Sequence, residues 1–398
     1  MSEIRDRLRR ALVGPPPATT GQPPWRRVLP VALVGLLVAG LVVLLRVLTG
    51  DGFDITAPFV VGTRYGVDLP IEARGIPLAG ERSYDGYDGQ WYLGQALDPL
   101  LRSELPLRFD SPRYRGVRML FPTAGWALAA GQPAATPYAL LALGVLAVGL
   151  GSAAGGRIAT GFRRSRWWGV GFALVPGVVV GVAYGTAEPL GLALAVTGLT
   201  LSIDRRYGWA GLAFAGAALS KETYLAFAAA TAVYLAFHHR RRGEPWVRPA
   251  GLLVAPGAVV LLAWWRYVAW ALPAGDDPDR VVRVFAPPLT GWVEVLGEIA
   301  TGAYSPAYQI GWRGGVIMIG TLVLLLVAVG LAIRRPSLLS LSALGWAGYA
   351  LLLSGLLLGR FLSAQRALAP AVLIAVLVVV ATGLPAHRRG DRHRSDQA

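Results

Sequence analysis

Long apolar runs, many close to the length of a bilayer crossing, alternate along the chain with short segments rich in arginine, glycine and proline. About 20 consecutive apolar residues span the hydrocarbon core of a membrane as a helix. On that criterion 28–48 predicts a first span. It is too long for the core of a signal peptide, and no small-residue cleavage site follows it. Further spans are expected at 137–156, 167–185, 187–203, 209–219, 223–237, 250–272, 314–333, 337–359 and 367–384, making about ten. The region 209–237 also reads as one long broken helix. The run 121–131, closed by Gly131-Gln132-Pro133, is short for a crossing. The fold class expected is all-α and polytopic, with tails at 1–27 (Pro15-Pro16-Pro17 within it, disordered) and 385–398 (basic), and one amphipathic helix near 290–300.

Charge orients this pattern. Arginines cluster at 157–166, 205–206, 240–248, 334–335 and 388–394. If these clusters and the N-terminal tail share the cytoplasmic side, their segments hold 22 basic and 6 acidic residues, leaving 16 and 17 for the other side. Such an excess of Lys and Arg marks the cytoplasmic face. It requires 117–131 to lie along the membrane rather than cross it, so that the whole of 50–136 is one outer loop and both termini are cytoplasmic. The +15 net charge is thereby accounted for without nucleic acid.

Composition narrows the chemistry. The 398 residues are 54% hydrophobic, with mean hydropathy +0.50. There is no cysteine, which excludes disulfides and thiol chemistry. The four histidines all lie in arginine-rich segments, which argues against a histidine metal site. No GxxxxGK[ST] loop, HExxH or GxSxG occurs, which argues against ATP-driven transport and metalloprotease chemistry. A divalent ion at acidic outer-loop groups stays open, although their spacing follows no ligand motif; no cofactor is expected.

What stands out is Ser83-Tyr84-Asp85-Gly86-Tyr87-Asp88-Gly89-Gln90-Trp91-Tyr92, just beyond the first span. Asp85 and Asp88, three residues apart, fit one helical face or a helix N-terminal turn, where capping is the alternative to chemistry. Further charges fall at the outer ends of apolar segments: Glu188 before Pro189, Lys221-Glu222 in a hairpin, Arg266, and Arg360 and Arg366 flanking the last outer turn. Such residues are costly unless paired or used. Lys221 is the single lysine among 38 basic residues, as if a compact ammonium were wanted for phosphate. A carboxylate there could deprotonate an acceptor hydroxyl, while Lys and Arg neutralise a departing phosphate.

Three stretches carry a family likeness: Tyr87-Asp88-Gly89-Gln90-Trp91-Tyr92, Ala96-Leu97-Asp98-Pro99, and Tyr114-Arg115-Gly116-Val117-Arg118-Met119-Leu120-Phe121-Pro122. They resemble a bacterial membrane family with a YDGQ(F/W)Y…LDP…YR(Y)QR(I)L(Y)P pattern, similar to the GT-C glycosyltransferases, including the GPI mannosyltransferase type. Thr186-Ala187-Glu188-Pro189, Ser220-Lys221-Glu222-Thr223 and Arg366 to Pro370 are weaker matches. The chain departs from the pattern at Gly116 and Val117. The resemblance implies a first outer loop with an acidic catalytic residue and two helices along the membrane. It also implies a bacterial plasma-membrane location and inverting transfer of a sugar, mannose or another, from a polyprenyl-phosphate donor.

The resulting expectation is a glycosyltransferase with Asp88 as general base and Asp85 second. Gln90, Tyr92, Arg115, Arg118, Glu188, Lys221, Glu222, Arg360 and Arg366 would bind substrate, the partners being the donor, the bilayer and an envelope glycan, lipid or protein acceptor. A lipid-linked sugar flippase and a non-catalytic envelope-assembly protein are the alternatives. A flippase would carry polar residues near mid-membrane; an assembly protein would keep its function with Asp88 replaced by Asn.

Overall fold

A computed structural model of the chain describes residues 25–50, 53–78, 83–273, 284–302, 311–334 and 337–382. The tails at 1–24 and 383–398 lie outside the described residues; Trp25–Val28, assigned in part to the tail above, is a 3₁₀ turn leading into the first helix. Among the described residues the protein is helical, with no strand and one isolated backbone bridge, Phe285 to Leu353.

The α-helices in chain order are α1 Leu29–Leu48, α2 Asp68–Glu72, α3 Gly89–Leu97, α4 Pro112–Gly116, α5 Leu120–Leu128 and α6 Thr136–Gly161. Then come α7 Pro176–Ala183, α8 Glu188–Ile203, α9 Tyr207–Ser220, α10 Leu225–Arg241, α11 Val247–Ala271 and α12 Thr290–Thr301. Last are α13 Gly311–Arg334, α14 Leu338–Leu351, α15 Gly355–Leu358 and α16 Phe361–Thr382.

Among the described residues, five helices are long and apolar enough to cross a membrane: Trp25–Leu48, Pro133–Gly161, Val247–Ala271, Gly314–Arg334 and Phe361–Thr382. A sixth is possible if the pair Arg166–Leu174 and Pro176–Ala183, bent by 56°, counts as one. The structure therefore does not supply ten full-length spans. The reason is length: α9 and α14 have 14 residues each, roughly 21 Å at 1.5 Å per residue, against a hydrocarbon core of about 30 Å. The expected span 337–359 is broken at Leu352–Ser354, where the backbone leaves α14 to pair with the segment before α12. The region 209–237 is two helices, α9 and α10, joined by the 3₁₀ turn Glu222–Tyr224. Helix α5, nine residues long, reaches only about 14 Å and is too short to cross.

Contacts sort the connections into two ends. At one, Arg166 donates to the Arg27 carbonyl, Arg164 to the Val380 carbonyl, and Arg157 pairs with Asp204. At the other, Arg46 lies over the Tyr184 ring, Gly116 packs against Val268 and Leu272, and Asp88 meets Arg366. The arginine-rich turns thus gather opposite the 53–135 segment, the 184–188 and 221–224 turns and the start of α16.

The buried interior between these ends is made of small and branched residues: Ala193, Ala195 and Val196 of α8, Ala217 of α9, and Ala369, Ala371 and Val378 of α16 are all enclosed. In contrast, α1 leaves Leu33, Leu37 and Leu41 on its outer face. A helix apolar all round with one side left open is what a lipid-facing position calls for. The amphipathic helix expected near 290–300 is α12, whose Trp292 is buried and donates to the Ala350 carbonyl.

Candidate functional site

The start of α16 closes a cleft of about 620 Å³ at the end of the bundle that carries the 53–135 segment. Five chain segments supply its charged wall. Asp88 immediately precedes α3, Arg115 lies in α4 and Arg118 two residues beyond it. Glu188 opens α8, Lys221 and Glu222 form the α9–α10 turn, and Arg366 sits in the second turn of α16. Placing Arg366 inside a helix corrects the expectation of a turn from 360 to 366: α16 starts at Phe361, so this side chain projects from a fixed frame.

Asp88 occupies the cap position of α3 but makes no capping bond. Its two carboxylate oxygens go instead to Arg115, at 3.0 Å, and Arg366, at 2.8 Å. Gly89 is why it can lie there, because any side chain at that position would collide with the Tyr184 carbonyl oxygen. Arg366 reaches on to Glu188 at 2.7 Å, which also receives Lys221 at 3.3 Å and the Thr186 hydroxyl at 2.6 Å. Arg115 makes a second, two-pronged contact with Asp110 at 2.8 and 2.9 Å. Arg118 grips Glu222 with both prongs, at 3.1 and 3.0 Å, and lies over the Tyr114 ring. The result is four carboxylates interlocked with four cations.

Solvent reaches this network unevenly. Glu188 is fully enclosed and Arg366 nearly so, whereas 28% of the Asp88 side chain is exposed. Burial would raise the Asp88 carboxyl, but Arg115 and Arg366 overcome it and hold the group well below the usual carboxylate range. Burial would likewise raise the Glu222 carboxyl, but Arg118 outweighs it and the group is lowered overall. Burial pushes the Tyr92 phenol up to about 12. Among the described residues, the Tyr92 hydroxyl and Arg366 Nε are enclosed here with no hydrogen-bond partner. Buried polar atoms of this kind are normally satisfied, and the Arg366 guanidinium lies against the Tyr87 ring, 5.3 Å from its centroid.

Asp85 is placed quite differently. It stands at the mouth of the cleft, 68% exposed, paired at 2.7 Å with Arg64, itself half exposed. The two aspartates of the Tyr-Asp-Gly repeat do not share a helical face, because the backbone turns sharply between them. Gln90 lines the cleft and also ties the loop down: its amide oxygen accepts from the Gly62 N–H and its nitrogen donates to the Asp85 carbonyl. Tyr92 lies beneath the floor, edge-on to Phe121. Lys221 is engaged with Glu188 and is not a free ammonium. Arg360 lines the cleft, is exposed and forms no ion pair with a described residue. Arg266 is exposed on α11, away from the cleft wall.

Sequence reasoning did not single out Asp110, Tyr114 or Tyr349, all of which line the cleft. The usable signal was Asp110-Ser111-Pro112, a carboxylate ahead of a proline-started helix carrying Arg115. Among the described residues no group of three or more His, Asp or Glu converges as metal ligands do, and each cleft carboxylate faces a cation instead. Fold and site together define a helical protein with several helices long and apolar enough for a membrane and an ion-paired cleft at one end. No family model, curated protein or solved structure matches the chain.

Proposed function

We propose that the protein is a membrane glycosyltransferase that moves a sugar from a polyprenyl-phosphate donor to an acceptor hydroxyl, with inversion, in this cleft. The observation that carries the reading is the juxtaposition of a partly exposed carboxylate, Asp88, with Arg366, Lys221 and the exposed Arg360 in one cavity. In the structure as it stands Asp88 is a weak base, because two guanidiniums hold it ionised. A donor phosphate resolves this. Its oxygens compete for Arg366 and for Lys221, and the lost contact raises the basicity of Asp88. Asp88 then takes the proton of the acceptor hydroxyl as that oxygen bonds to the anomeric carbon. The bond from that carbon to the phosphate oxygen breaks, and the electron pair leaves with the polyprenyl phosphate. Lys221, Arg360 and Arg366 meet the charge that develops there.

Two observations favour this over a flippase. Charged side chains of the candidate spans lie within two turns of a helix end, and the cleft opens at one end of the bundle only. On this reading the protein sits in a bacterial plasma membrane with the cleft outward and both termini inside. Asp88→Asn, purified and supplied with a polyprenyl-phosphate sugar and a hydroxyl acceptor, should lose at least about 10²-fold in transfer rate. Arg115 and Arg366 each keep a second carboxylate in that variant, Asp110 and Glu188, so the fold should survive. A variant that transfers at the parent rate excludes Asp88 as the base. Donor translocation without transfer by both proteins would favour the flippase.

A further inference from the structure

The end of the bundle remote from the cleft holds a second, shallower depression of about 470 Å³, lined by Arg205, Arg206, Tyr207, Trp209, Arg248 and Leu252 among others. It lies between the starts of α9 and α11. These two helices run parallel: Gly211 packs on the Leu252 backbone and, a turn further on, Ala215 packs on Gly257. A side chain at Gly211 would collide with the Leu252 carbonyl, so the close approach depends on glycine there. Both N-termini therefore open side by side, and neither has a side-chain cap. Each carries a partial positive charge and free N–H donors.

The arginines around them are exposed and form no ion pair with a described residue. The nearby carboxylates are already engaged: Asp204 with Arg157 at 2.8 Å, and Glu244 beside His239 at 3.7 Å. This concentration of unmatched positive charge is the reverse of the interlocked cleft at the other end. Trp209, 67% exposed, stands at its edge, and below it the outer faces of α9 and α11 present Leu212 and Val259 to the surroundings. Exposed tryptophan beside an apolar helix face is the arrangement of a membrane–water boundary. Helix α11 is one of the five candidate spans and begins at this depression.

We propose that this depression binds the phosphate headgroup of an anionic membrane lipid, its acyl chains lying along Leu212 and Val259. Arg205, Arg206 and Arg248 would hold the phosphate, and the two uncapped helix N-termini would add N–H donors, the usual anion-binding property of such termini. Basic pockets between membrane helices are suited to such headgroups. The site is independent of what the cleft does.

The test uses the full-length protein purified in a mild detergent and stripped of lipid. Binding of phosphatidylglycerol, phosphatidylcholine and inorganic phosphate is measured by native mass spectrometry and by the shift in melting temperature. The parent should bind one phosphatidylglycerol at least about tenfold more tightly than phosphatidylcholine. Arg205→Gln/Arg206→Gln/Arg248→Gln should abolish that preference, and Arg248→Gln alone should reduce it, which keeps the test valid if the triple variant misfolds. Arg240→Gln/Arg241→Gln/Arg242→Gln removes the same charge from the same end, outside the depression, and should bind as the parent does. Equal loss in that control would mean diffuse attraction rather than a site. Inorganic phosphate displacing the lipid at equal concentration would mean a small soluble anion is the ligand. Either result overturns the proposal, as does undiminished binding by both depression variants.

Discussion

The two ends of this bundle use the same residue, arginine, to opposite effect. Around Asp88 every buried guanidinium is matched: Arg115 touches Asp88 and Asp110, Arg118 touches Glu222, and Arg366 touches Asp88 and Glu188. Around the start of α9, Arg205, Arg206 and Arg248 stand in the open and form no ion pair with a described carboxylate. Burial explains the difference. An enclosed charge must bring its counter-ion with it, and removing one partner of such a pair leaves the other stranded. An exposed arginine keeps its water and needs no partner. Matched charges make a rigid site that only a competing ion can open; unmatched ones make a surface that any anion can approach.

The contrast can be broken most severely at Arg366. Arg366→Met should cost about 3–5 kcal/mol of stability, because Asp88 and Glu188 both lose a buried partner, whereas Arg248→Met at the opposite end should leave the melting temperature unchanged. Thermal melts of the two variants in the same detergent decide it, and similar shifts would mean that the interlocked cleft is not a structural centre. Gly89→Ala should come next, at about 1–3 kcal/mol, since the added methyl meets the Tyr184 carbonyl and must push Asp88 from between its arginines. A melt together with the transfer assay reads both effects.

Acid sharpens the same contrast. Asp88 and Glu222 have folded-state pKa values below those of free carboxyls. Their contribution is therefore complete above the unfolded range near about 4 and is lost progressively as pH falls below it. The melting temperature should be level between neutral pH and about 5 and fall below about 4, with a shallower fall in Glu222→Gln. The smallest effect is expected at the mouth, where Asp85→Asn breaks only an exposed pair with Arg64. Melting temperature and transfer rate should both match the parent within error, and a large loss of transfer would move the base from Asp88 to Asp85.

Much of the site could be read from the chain, because a charge at the end of an apolar run is conspicuous. Asp88, Glu188, Lys221, Glu222 and Arg366 were all visible in that way. Their partners were not, since pairing depends on helices that meet only in three dimensions: 278 positions separate Asp88 from Arg366 and 104 separate Arg118 from Glu222. Gln90 was conspicuous through its motif, but its bonds were not: they go to the backbone at Asp85 and at Gly62, 28 positions earlier. Hydropathy located the helices well and their ends poorly. Leu352 and Leu353 are as apolar as their neighbours, so nothing in that pattern announces that the backbone stops being helical there to meet Phe285.

Arg366 belongs to the last described helix, yet it completes a cleft whose other members are made far earlier. Between Glu188 and Arg366 lie 178 positions, and at a synthesis rate of about 5–20 residues per second the interval is roughly 10–40 s. Throughout it, Asp88 and Glu188 await the guanidinium that will join them. A ribosome stalled before residue 366 would hold a chain with most of its helices and a cleft still lacking Arg366. The joining of the cleft is thus a late event: a chain cut short before α16 would still have Arg115 for Asp88 and Lys221 for Glu188, but would lack the guanidinium that links the two pairs.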